Sequence, residues 1–145
     1  MQSVEALPLL NHLLNLLARS LPIYLADARP YTHTEKSEFL EALRRLASDQ
    51  RKYADRVAEE ISRLGGRPNP GRFPVEFTGK NDLALDFLFW DVIENQEQNV
   101  FLLEYFADQL IYYPRLHSLA REILDHAKQH LETLHRSIRD APQPT

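Results

Sequence analysis

The chain has 145 residues, enough for one domain with a sizeable core, and its 43% hydrophobic and 26% charged residues exclude general disorder. The absence of cysteine excludes disulfides, thiolate metal sites and cysteine nucleophiles. A net charge of -4, with acids and bases interspersed along the chain, offers no basic stripe for nucleic acid.

The first periodic segment runs from about Leu7 to Asp27, with Leu10, Leu14, Leu17, Leu21 and Tyr24 on one stripe. Asn11, His12, Asn15 and Arg19 make this segment too polar for a membrane span, and it lacks the flanks of a secretory signal, so cytoplasmic residence is expected. Pro22 falls inside the pattern and should kink or end the helix, and Arg29-Pro30 closes it. Thr32-x-x-Glu35 reads as a capping box opening a second helix of roughly 30 residues. Its apolar seam is Leu40, Leu43, Leu46, Val57, Ile61 and Leu64, and Gly65-Gly66 supply the stop.

Residues 67–80 change character. Pro68, Pro70 and Pro74 with Gly71 and Gly79 forbid helix, and the stretch is too long for a tight turn. A third helix, apolar almost all round, spans about Asp82 to Tyr113, where Pro114 breaks it. Its aromatic set, Phe87, Phe89, Trp90, Phe101, Tyr105 and Phe106, is expected to be core plus a covered outer face. A fourth helix, about Arg115 to Ile138, keeps Leu116, Ala120, Ile123, Ala127, Leu134 and Ile138 in register, and residues 140–145 form a frayed tail. The prediction is one all-α domain over residues 1–145, an antiparallel four-helix bundle. Short loop, long crossover at about residues 66–81 and short loop is the connectivity of ferritin-like bundles.

Several polar residues fall on inward seams: Gln50 and Tyr53 on the second helix, Glu94 on the third and His130 on the fourth. The run Tyr53-Ala-Asp-Arg through Leu64-Gly-Gly-Arg-Pro-Asn-Pro-Gly71 resembles the end of the second helix of bacterioferritins. Leu10-Asn-His-Leu-Leu-Asn15 and His130-Leu-Glu-Thr-Leu134 are similar to that family's first and last long helices, so the resemblance covers nearly the whole chain. It implies a two-iron site with a Glu on helix 1, a Glu-x-x-His pair on helices 2 and 4 and a Glu on helix 3. Carried over, these positions hold Leu17, Gln50, Tyr53, Glu94, Ala127 and His130, so only Glu94 and His130 keep ligand chemistry. Two hard, highly charged irons need several carboxylates, and Leu17, Gln50, Tyr53 and Ala127 supply none. The haem-ligating Met would fall on Arg51, so no haem is expected.

The leading expectation is therefore a ferritin-like protein without a di-iron centre, acting as a non-catalytic structural or binding module and holding no cofactor. Tyr53, Glu94 and His130 should face one another at mid-bundle with Gln50 beside them. One alternative is a metal-binding oxidase or storage protein with substituted ligands around Glu94 and His130, or a single metal ion drawing in Asp49, Asp91 or His126. Another is a small apolar ligand bound where the irons would sit. A second stripe on helix 1, Leu9, Leu13, Leu16 and Ile23, predicts a homodimer built mainly from that helix with helix 2 contributing, the third helix, apolar nearly all round, being the competing surface.

Overall fold

In a computed structural model the described residues are 2–28, 38–77 and 88–138. They form five α-helices, α1 (Gln2–Ala18), α2 (Leu21–Ala28), α3 (Glu38–Arg63), α4 (Phe89–Gln109) and α5 (Pro114–Ser137), with a 3-10 turn at Val75–Phe77 and no strand among the described residues. The Thr32 and Glu35 capping box, Pro30, Phe87, the expected onset of the third helix near Asp82 and the tail at 140–145 lie outside them.

The leucine-rich first segment is two helices because of Pro22. Proline has no N–H to offer the carbonyl four residues earlier, and that carbonyl, Ala18 O, accepts from Arg19 Nη1 at 3.2 Å instead. The chain breaks at Arg19-Ser20 and restarts with Ser20 as N-cap, its Oγ accepting from Ile23 N at 3.3 Å. At the far end of α3, Gly65 takes φ +83°, Gly65 N donates to Ser62 O and Gly66 N to Ile61 O at 2.9 Å. This pairing satisfies the last carbonyls and turns the chain out of the bundle. Gly66 also admits α1: a Cβ there would sit 2.6 Å from Leu7 Cδ2.

Cross-helix contacts fix the directions. Ser20 meets Gln50 and Leu7 meets Gly66, so α1 and α3 are antiparallel. Asp49 meets His130 and Glu60 meets Arg115, so α3 and α5 are antiparallel; Gln96 meets Ala127 and His117 meets Ala107, so α4 and α5 are too. Hence α3 and α4 run parallel, and the segment joining them must travel the height of the bundle. It climbs beside α1 and α2. Asn69 N donates to Asn11 Oδ1, Asn15 Nδ2 to Pro70 O at 2.6 Å, and Arg19 Nε to Gly71 O at 2.9 Å. Tyr24 then stacks edge-on against Phe73. The bundle is a square of α1, α3, α5 and α4 in which α1 meets α4 only loosely.

The core has two halves. One gathers Leu10, Leu14, Tyr53, Val57, Ile61, Leu103 and Ile123; the other gathers Leu21, Phe39, Leu43, Leu46, Val92 and Leu134. The second stripe of helix 1 is not a free surface. Leu13 is 1% exposed and Ile23 4%, both inside the single chain, and Leu9 and Leu16 pack half-buried against the core. The reason is geometric: Leu13 falls beside Ala6, Leu10 and Leu17 within the arc of α1 that faces the core, and Ile23 belongs to the separate helix α2, whereas the crossover touches the opposite side of α1 at Asn11 and Asn15. The aromatic expectation for the third helix is also corrected, because Phe101 is 74% exposed and Tyr105 51%. Leu13→Ala should therefore cost about 2–5 kcal/mol in chemical denaturation, as a core truncation does. A variant as stable as the parent would return Leu13 to the surface.

Candidate functional site

The two halves of the core meet at a polar layer in the middle of the bundle. Gln50, 6% exposed, is held by Ser20, whose Oγ–H donates to Gln50 Oε1 at 2.6 Å. Ser20 thus works in two directions, capping α2 through one lone pair and satisfying α3 through its proton. Asn95 Oδ1 accepts from Leu21 N at 3.4 Å, so α4 reaches the same helix break. Gln96, fully buried, donates from Nε2 to Ala127 O at 3.0 Å. The small side chain of Ala127 is what leaves that carbonyl open to a neighbouring helix.

Beside this layer lies an internal cavity of about 20 Å³, lined by Leu17, Gln50, Tyr53, Ala127 and His130 together with Gln96, Asn99 and Asp49. A space of that size holds about one water molecule. Gln96 Oε1 is buried there without a protein hydrogen-bond partner. Five of the six positions singled out in the sequence converge on this cavity. The sixth does not: Glu94 is exposed, and α4 presents Gln96 and Asn99 in its place. The expected facing of Tyr53, Glu94 and His130 is corrected accordingly. Glu94 falls on the outward side because α4 turns Val92, Ile93, Gln96, Asn99 and Leu103 inward.

Tyr53 and His130 each find another acid. Tyr53 Oη donates to Glu122 Oε2 at 2.6 Å, and Arg56 Nη1 lies 2.7 Å from the same oxygen. His130 Nε2 bonds Asp49 Oδ2 at 2.9 Å, with His126 Nδ1 3.3 Å from that oxygen. Both contacts as hydrogen bonds require the proton on Nε2 of His130 and on Nδ1 of His126. Asp49 is therefore a half-buried partner to two imidazoles, with its side chain 19% exposed. Ser20, Asn95, Gln96, Asn99 and Glu122 carried no signal in the sequence beyond their helical spacing from the seam.

Burial first, and then the hydrogen bond and charge of Glu122, push the Tyr53 phenol well above its ordinary range. Glu122 is held below the usual carboxylate range, first by the Tyr53 hydrogen bond and then by Arg56. The donor chemistry of the layer does not fit a two-iron centre. Asp49 is the one carboxylate lining the cavity and it already serves the two imidazoles there, His126 and His130; the other polar groups are three amides and a phenol. Among the described residues no group of three or more His, Cys, Asp or Glu is disposed to hold a metal ion, and no helix is long and apolar enough to cross a membrane. Comparison of the chain with protein-family models, with curated proteins and with solved structures returns no match.

The Tyr53–Glu122 pair predicts an alkaline transition. The folded phenol holds its proton more tightly than the unfolded one, so its contribution is complete below about pH 10 and is lost as pH rises toward the folded value. In an absorbance titration Tyr53 should ionise after the exposed tyrosines, and Glu122→Gln should bring it down. A chain whose six tyrosines titrate together would contradict the pairing.

Proposed function

We propose that the chain is a ferritin-like bundle in which a hydrogen-bonded layer stands where bacterioferritins hold two irons, and that it works as a non-catalytic structural or binding module. The observation that carries this reading is the convergence of Leu17, Gln50, Tyr53, Ala127 and His130 on one cavity. These are five of the six positions that the resemblance to bacterioferritins assigns to metal ligands, and among them only His130 keeps a ligand side chain. The parallel course of α3 and α4, with a crossover running the bundle's height, supports the same architecture. The replacement of Glu94 by Gln96 and Asn99 at the cavity takes away the one acid that the resemblance had left.

The cavity supports the two alternatives less well. An oxidase with substituted ligands needs Glu94 beside His130, and Glu94 is exposed. A small apolar ligand needs a pocket of roughly 300–1,000 Å³, and the cavity measures about 20 Å³.

Ferrous iron added in air tests the reading. The ferric absorbance should develop no faster with the protein than in buffer, and Glu94→Ala should change nothing. A stoichiometric burst of oxidation that His130→Ala abolishes would overturn it.

A further inference from the structure

The side of the bundle between α1 and α4 is its loosest and carries a groove of about 570 Å³, with Pro8, His12 and Leu16 on one wall, Leu102 and Phe106 on the other, and Asn11, Asn15 and Asn69 along its crossover edge. The ring of Phe106 meets His12 at 6.4 Å and Tyr105 at 5.7 Å, so the groove continues outward onto the exposed face of α4. There Phe101 is 74% exposed, Tyr105 51% and Leu102 39%. Phe101 and Tyr105 at i and i+4, with Leu102 leading into the groove, form a contiguous apolar patch of the kind that marks interaction sites.

Charge says what would cover it. α4 carries Asp91, Glu94, Glu97, Glu104 and Asp108, α1 carries Glu5, and neither helix contains a lysine or arginine. Arg19, just past α1, is bound to Gly71 O. Glu104 pairs with Lys128 of α5 at 3.5 Å, whereas Glu94, Glu97 and Asp108 are exposed and make no ion pair among the described residues. The bases lie elsewhere, in particular on α3 at Arg44, Arg45, Arg51, Lys52, Arg56 and Arg63.

We propose that the α1/α4 groove and the outer face of α4 dock a cationic amphipathic helix of a partner protein, its apolar stripe on Phe101, Leu102 and Tyr105 and its lysines or arginines against Glu94, Glu97 and Asp108. Other occupants meet the wrong charge or the wrong polarity. An anionic membrane or a nucleic acid would face unpaired carboxylates. A symmetric second copy would set the same acids against themselves. A head-to-tail copy would bring the bases of α3, but among the described residues the exposed large hydrophobic side chains lie on α4, the α4–α5 turn and the crossover, none on α3 or α5. The groove runs from Pro8 to Leu16, about 12 Å of helix, so two to three turns of a partner would engage it. Helix-in-groove recognition of this kind uses apolar anchors at i, i+3 or i+4 and i+7. This inference goes beyond the mid-bundle reading, and its test involves no iron, so each can fail without the other.

Two labelled helical peptides test it by fluorescence anisotropy against the full chain. One has a leucine stripe with lysines on the remaining face, and the other has every lysine replaced by glutamate. The lysine peptide should bind, the glutamate peptide roughly tenfold or more weaker, and affinity should fall with added salt. The double variant Phe101→Ala/Tyr105→Ala and the single variant Glu97→Lys should each weaken the lysine peptide roughly tenfold or more. Glu59→Lys, an exposed acid on α3, should leave it unchanged. These are surface substitutions, and matching thermal unfolding curves would show that the fold is kept. Absence of binding, equal affinity for both peptides, or equal loss in Glu59→Lys would overturn the proposal. So would a wild-type chain that sediments as an oligomer dispersed by the Phe101→Ala/Tyr105→Ala variant, which would assign the face to a second copy.

Discussion

A buried amide must be partnered, and Gln50, in the middle of α3 where the helices come together, sets that requirement for its neighbours. Left unsatisfied, such a group costs about 1–3 kcal/mol. Ser20 satisfies it, and Ser20 is available because Pro22 breaks the first segment two residues later in the chain. The proline that interrupts the helix is thus what brings a hydroxyl to the core. The same break exposes Leu21 N to Asn95, so a single interruption ties α2, α3 and α4 together. Around this point Gln96, Tyr53 and His130 each find a partner on the facing helix, and the two apolar halves of the core close above and below.

The second constraint is the crossover. Because α3 and α4 run parallel, the chain must climb the bundle between them, and it does so first through polar contacts to Asn11, Asn15 and Arg19 and then through Phe73 and Phe77 against Tyr24. Asn11, Asn15 and Arg19 lie on the sides of α1–α2 turned away from the core, and the crossover accounts for the polar interruptions in an otherwise leucine-rich stretch. Gly71 fits the arrangement, since its φ is +74° and a Cβ there would sit 2.8 Å from Asn15 Nδ2. With α3 and the crossover against α1, the side facing α4 stays loosely filled, and the groove follows from that.

Much of this was legible in the sequence, and the failures have physical causes. The i, i+3, i+4 arithmetic of α3 and α5 put Gln50, Tyr53, Ala127 and His130 at the cavity because both helices are strongly two-faced, polar outside and apolar inside. α4 has no such contrast. With Phe101, Leu102 and Tyr105 outside and Gln96 and Asn99 inside, its inward face cannot be chosen from hydrophobicity, and Glu94 was assigned to the wrong side for that reason. Leu13 and Ile23 fall on a second stripe only if one narrow core stripe is drawn along a continuous helix; Leu13 lies within the wider buried arc of α1, and the break before Pro22 gives Ile23 to a separate helix with its own orientation. Acids and bases that alternate along the whole chain separate in space once α1 and α4 form one side of the square, a property of the packing and not of local sequence.

The central claim is that the mid-bundle layer is held together by hydrogen bonds between protein groups, with Gln96 Oε1 left unpartnered at the cavity, and gains nothing from a metal. Thermal unfolding of chelator-treated protein, with and without stoichiometric ferrous iron, manganese or zinc, tests it most directly, because any ion bound by the folded state alone raises the midpoint by mass action. The midpoint should be the same in every case. A rise of several degrees with one of these ions, removed by His130→Ala or Asp49→Asn, would show that the layer is a metal site and contradict the account.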